Sequence, residues 1–157
     1  MQRSKRIVLV SHCVLNQNTV IEGEARSKGA ISSMVEWVVQ EELGIVQLPC
    51  PEFTYLGLNR PPMTYREYDT LEYRKHCRSI IQPVIDQIEE YLRNDFELVG
   101  LMGIESSPSC DPRHGRGVFM EELIGSLKEL NIDVNNKWYL PNSDNPMFNS
   151  IEHLFRQ

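Results

Sequence analysis

Apolar residues follow two rhythms along this chain. Ile7-Val-Leu-Val10 is an unbroken apolar run, as a parallel strand buried on both faces requires. Residues 45–48 and 98–104 predict two more strands of this kind. Between them the spacing changes to three and four. Ala30, Ile31, Met34, Val35, Val38 and Val39 predict one buried face of a helix over about residues 27–42, closed by Gly44. Thr64-Tyr-Arg-Glu67 fits a capping box and opens a helical stretch reaching about Arg93. Ile80, Ile81, Val84, Ile85 and Ile88 stripe that stretch, and Pro83 predicts a kink or a split in it. Phe119, Leu123, Leu127 and Leu130 stripe a further helix. Residues 132–134 predict a short fourth strand, and Asn145-Pro146 a last helix with Asn as cap and Pro at its first position. Strands and helices thus alternate. The expectation is one α/β domain over residues 1–157, Rossmann-like or flavodoxin-like, with a mainly parallel sheet of about four strands and helices on both faces.

Composition narrows the function. At 157 residues with 41% apolar and 24% charged residues, the chain has the balance of an ordinary globular domain. Its net charge of -6 argues against a nonspecific nucleic-acid binder. No apolar window is long enough to span a membrane. The basic start, Met1 to Arg6, precedes too short an apolar run for a signal peptide, so a cytoplasmic location is expected. In such a chain the four cysteines are core residues, metal ligands or reactive thiols, not a disulfide framework.

Three of those cysteines share a position. Cys13, Cys50 and Cys110 each follow the carboxyl end of a predicted parallel strand, the edge at which open α/β sheets bind ligands. Cys77 falls inside a predicted helix and reads as packing. No CxxC or HxxxH pair is present, so a structural zinc site lacks its usual spacing. An iron–sulfur cluster needs only that its thiolates meet in space, and three protein ligands on a cubane leave one iron open. A cysteine-phosphatase loop is excluded, because Thr19 stands where that chemistry needs an arginine to grip phosphate. No P-loop is present, and Gly115-Arg-Gly117 lacks the third glycine of a dinucleotide fingerprint.

At these residues the sequence resembles the TudS-like 2-thiouracil desulfidases. The first stretch is Ser11-His-Cys13-Val-Leu15-Asn-Gln-Asn18-Thr-Val-Ile-Glu22-Gly23. The second is Pro49-Cys50-Pro51-Glu52 with Gly57-Leu58, and the third is Ser107-Pro108-Ser109-Cys110. The resemblance implies a Rossmann-type domain holding a [4Fe-4S] cluster on Cys13, Cys50 and Cys110, with the fourth iron free. It implies non-redox removal of sulfur from the thiocarbonyl of a small thiolated molecule, such as a thiouracil-like nucleobase. Glu52 would be the acid/base and Ser107 would position substrate or water, with Ser109 a second candidate for that role. The chain departs from the family at Val20 (Arg in the family), at Ile104 (Lys), at Asp111 (Gly) and in having one glycine, Gly57, where the family has two. These departures motivate an alternative, a non-catalytic cluster- or metal-binding sensor on the same three cysteines. A third reading is a thiol redox protein. Arg113, His114 and Arg116 read as surface charge, with an anion grip as their functional alternative. His12 is placed to pack at the strand end or to hydrogen-bond a cluster sulfur.

Overall fold

The first apolar run forms β1 (Arg6–Val10), with Ile7, Val8, Leu9 and Val10 all buried. The computed structural model describes residues 1–156. In it β1 lies between β2 (Gly44–Gln47) and β3 (Glu97–Ile104), parallel to both. β4 (Lys137–Leu140) extends the sheet in parallel from β3, and β5 (Leu154–Phe155) ends it antiparallel to β4. The order is β2-β1-β3-β4-β5, five strands where about four were expected, in the mainly parallel α/β architecture the alternation predicts. The chain leaves β1 toward β2 and later returns to β3 on the other side. Connections therefore diverge between β1 and β3, which opens a crevice at their carboxyl ends.

Side-chain alternation along β1 divides the core. Ile7 and Leu9 pack toward α5 (Leu71–Arg93) and α6 (Val118–Glu129) on one face. Val8 and Val10 pack toward α1 (His12–Leu15) and α2 (Ser32–Gln40) on the other. Helices thus cover both faces. Two short helices, α3 (Pro51–Leu56) and α4 (Tyr65–Tyr68), lie in the connection from β2 to α5.

Several expected elements are displaced, each for an identifiable reason. The helix expected from residue 27 begins at Ser32, because backbone groups upstream are already bonded elsewhere: Gln17 N donates to Gly29 O and Ile31 N to Val14 O. Gly44 does not close that helix. It is the first residue of β2, and Glu42 takes the left-handed turn at φ 58°. The capping box at Thr64 forms, yet it caps only α4; the chain breaks at Asp69 and restarts with Thr70 as a second cap. Pro83 does not split α5. A proline inside a helix costs ~3 kcal/mol or more. Ile81, Val84, Ile85 and Ile88 are all buried, at about 1.5–3 kcal/mol each, which outweighs that cost.

Residues 132–134 are not a strand. The fourth strand is Lys137–Leu140, whose Trp138 and Leu140 alone are buried. The helix expected at Asn145-Pro146 is absent. Ser33 Oγ donates to Pro146 O and accepts from Phe148 N, and Trp138 Nε1 donates to Ser150 O. Those tertiary bonds hold the segment extended on the way to β5. Among the described residues no helix is long and apolar enough to cross a membrane.

Candidate functional site: a thiol-lined cavity at the carboxyl edge of the sheet

Each of the three strand ends delivers one cysteine. After β1, Ser11 N donates to Met102 O of β3, and the chain turns into α1 with Cys13 in its first turn. The Gln17 amide then clamps this turn: its Nε2 donates to Cys13 O at 2.7 Å and its Oε1 accepts from Arg26 N at 2.8 Å. After β2, Cys50 is the N-cap residue of α3 with Pro51 at the first helical position. After β3 the chain folds back on itself, and Ile104 N donates to Cys110 O.

That fold-back rests on small and buried polar residues. A Cβ at Gly103 would meet the ring of Pro112 at 2.8 Å, so only glycine lets the loop approach the strand. Asp111 is fully buried and accepts from Ser106 N, Arg113 N and the Arg113 guanidinium. Ser107 Oγ accepts from Cys110 N at 3.0 Å. The SPSC segment is therefore a loop whose donors are satisfied from within.

The three loops enclose a cavity of about 280 Å³, lined by Cys13, Cys50 and Cys110 together with Glu52 and Ser107. All five residues singled out in the sequence thus meet at one place. Among the described residues no three His, Cys, Asp or Glu side chains converge as the donors of a single metal ion would. A cubane spreads its protein ligands over separate irons, so the thiols that serve it stand further apart than the donors of one ion.

Charge and burial oppose ionisation of these thiols. Burial foremost, and then the neighbouring Cys50, pushes the Cys13 thiol up to about 12. Burial foremost, followed by Cys13 and Cys50, holds the Cys110 thiol well above its ordinary range. Burial also raises Cys50. The thiols are close enough to resist ionising together, and a bound cationic group is what would relieve that resistance. The Ser11 hydroxyl, buried without a partner of full hydrogen-bond geometry among the described residues, lies close enough to Cys110 to favour its thiolate.

These shifts have a consequence for the metal-free chain. A thiol raised in the folded state keeps its proton while the unfolded chain loses one above about 9. Folded stability is then complete below pH ~9 and falls as pH rises, by at most about 1.4 kcal/mol per pH unit for each such thiol. Urea unfolding at pH 7.5 and pH 10 checks this; an unchanged or higher midpoint at pH 10 would contradict it.

Two arginines line the cavity that the sequence did not single out. Arg60 is buried to 4% side-chain exposure and binds Glu52 Oε1 through Nε at 3.3 Å. Its remaining nitrogens donate to Gly57 O and Thr19 O. Glu52 is thereby fixed against the wall that carries Cys50. Tyr68, also buried, directs its phenol toward this pair, and burial with the Glu52 charge raises it far above its usual range. Arg26 belongs to the loop between the short 3₁₀ turn at Gln17–Thr19 and α2. The available signals for these residues were an arginine among prolines at 59–62 and an arginine beside the first motif. Neither spacing says that the chain folds back over the cysteines.

Other candidates lie elsewhere. Ser109 is fully buried and its hydroxyl pairs with Tyr73 at 2.7 Å, away from the cavity lining. His12 Nδ1 pairs with Gln47 Nε2. Arg113 is engaged with Asp111 and stacks over Phe155. His114 is exposed beside Glu121, and Arg116 is exposed. Cys77 is in the α5 core.

Fold and site define a mainly parallel α/β domain with a three-cysteine cavity at the divergence of its connections. No family model and no solved structure matches the chain. It is 39% identical over 156 residues to uncharacterized protein MJ0003 of Methanocaldococcus jannaschii, covering 98% of this chain and 99% of that protein. The chain belongs to the same family as that archaeal protein.

Proposed function

We propose that the protein is an iron–sulfur-dependent desulfidase that removes sulfur from a thiocarbonyl of a small molecule, of the thiouracil-like class. The observation that carries this reading is the convergence of Cys13, Cys50 and Cys110, from three separate strand ends, on one cavity that Glu52 also lines. The donor set suits a [4Fe-4S] group: three thiols that resist joint ionisation without a cation, and a buried serine hydroxyl facing one of them. Cys13, Cys50 and Cys110 would hold it. When bound, the group supplies a thiophilic Lewis acid in its iron without a protein ligand.

The remaining work falls to this chain's side chains. The overall change converts C=S and one water into C=O and hydrogen sulfide, and it moves no electrons. It needs a base for the water proton and an acid for the departing sulfur. Glu52 is the carboxylate on the cavity wall, and Arg60 holds its Oε1 in place. Ser107 lines the cavity too. Its oxygen accepts from the loop backbone, and its O–H proton is left to orient water or the carbonyl being formed.

The test is anaerobic reconstitution with iron and sulfide, followed by iron, acid-labile sulfide and turnover measurements on 2- and 4-thiouracil. About four irons per chain and release of sulfide are expected. A folded, reduced chain that takes up no iron would sink the reading.

A further inference from the structure

Arg26 is the cavity's unused cation. Arg60, the other arginine there, is spent on Glu52 and two carbonyls. The Arg26 Nε–H is buried and has no hydrogen-bond partner among the described residues. A buried donor left in this state costs ~1–3 kcal/mol. Its position is nonetheless built. Arg26 N is held by the Gln17 amide, Arg26 O accepts from Asn145 N at 2.7 Å, and one terminal nitrogen donates to Asn142 Oδ1 at 2.8 Å. The same Gln17 amide binds Cys13 O, so one side chain sets both the cysteine and the arginine. The guanidinium charge is close enough to Cys13 to favour its thiolate.

We infer that Arg26 is a positioning residue for the thiolate-bound group, donating its free Nε–H to a sulfur on the Cys13 side and offsetting the negative charge gathered there. This rests on the cluster reading of the cavity. A donor and a positive charge beside a cluster sulfur stabilise the reduced, more negative state and so raise its potential. They also slow loss of the cluster by favouring the ligated thiolate over the protonated thiol.

The test uses wild type, Arg26→Gln and Arg26→Lys, each reconstituted anaerobically. Far-UV circular dichroism and thermal melting establish that each is folded. Midpoint potential is read by spectroelectrochemistry, and cluster half-life by bleaching in excess chelator. Arg26→Gln is expected to shift the midpoint to lower potential and to shorten the half-life severalfold. Arg26→Lys keeps the charge without the guanidinium Nε–H, so it should restore most of the potential and less of the half-life. If Arg26→Gln does not fold, the lysine variant alone decides: wild-type potential and wild-type half-life together would overturn the assignment.

A folded Arg26→Gln protein with both values unchanged would overturn it as well. Calorimetric titration of the metal-free protein with inorganic phosphate adds a further arm. Binding that depends on Arg26, with no effect of Arg26→Gln on the cluster, would reassign the guanidinium to an anionic small molecule and overturn the inference. A wild-type chain that takes up neither iron nor sulfide overturns the functional reading and this assignment together. A cluster-bearing wild type with indifferent Arg26 variants overturns this assignment alone.

Discussion

Replacing any one of Cys13, Cys50 and Cys110 with serine is expected to leave the chain folded and unable to retain a full cluster. Each cysteine closes a different strand, β1, β2 or β3, so none can stand in for another. All three are only partly buried, and their sulfurs face a cavity, so exchanging sulfur for oxygen disturbs little packing. The loss falls on ligation, because a serine hydroxyl keeps its proton where a thiol gives one up to a metal. Iron and acid-labile sulfide after desalting are expected to fall well below the wild-type content in each variant. Cys77→Ser supplies the contrast. Cys77 is fully buried in the α5 core, with its thiol raised to about 12 chiefly by burial. That change should lower stability, by about 1–3 kcal/mol for a buried hydroxyl, and leave cluster content unchanged. Full cluster retention in all three cavity variants would remove Cys13, Cys50 and Cys110 as ligands.

Breaking the pair between Glu52 and Arg60 is expected to have the second large effect, and the two partners should fail differently. Arg60→Leu removes the donor from Glu52 Oε1, Gly57 O and Thr19 O at once. Side-chain exposure is only 4% for Arg60 and 12% for Glu52, so the carboxylate is left largely desolvated and unpaired. Removing one partner of such a pair costs ~3–5 kcal/mol. In a domain of this size that is a drop in Tm of roughly 6–20 °C. Glu52→Gln keeps a carbonyl oxygen for Arg60 Nε and should be milder in stability. It removes the group assigned to proton transfer, so turnover should fall by about 10²–10⁴ with cluster content intact. Thermal melting, iron content and sulfide release on both variants separate the two roles. Full turnover in Glu52→Gln would remove Glu52 as the acid/base. An unchanged Tm in Arg60→Leu would mean that the pair contributes nothing to holding the site.

The sequence by itself determined the parts of this protein that depend on residues near one another in the chain. The apolar runs at 7–10, 45–48 and 98–104 became the three central strands within a residue or so at each end. The stripe through Phe119, Leu123 and Leu127 became α6, and the Thr64 box capped its helix. Burial on both faces, or on one helical stripe, writes itself into local spacing. The placement of Cys13, Cys50 and Cys110 at strand ends was legible for the same reason.

Tertiary structure decided the rest. Trp138 and Leu140 mark β4 only through contact with β3, and residues 145–150 give up a well-capped helix for bonds to Ser33 and Trp138. α5 runs through Pro83 because buried isoleucines and Val84 outweigh a lost backbone bond. At the site, Arg60 meets Glu52 from eight residues away, and Arg26 meets Cys13 through Gln17. Such partners are chosen by the need of each buried polar group for a counterpart, and a counterpart is found in space, not at a fixed spacing.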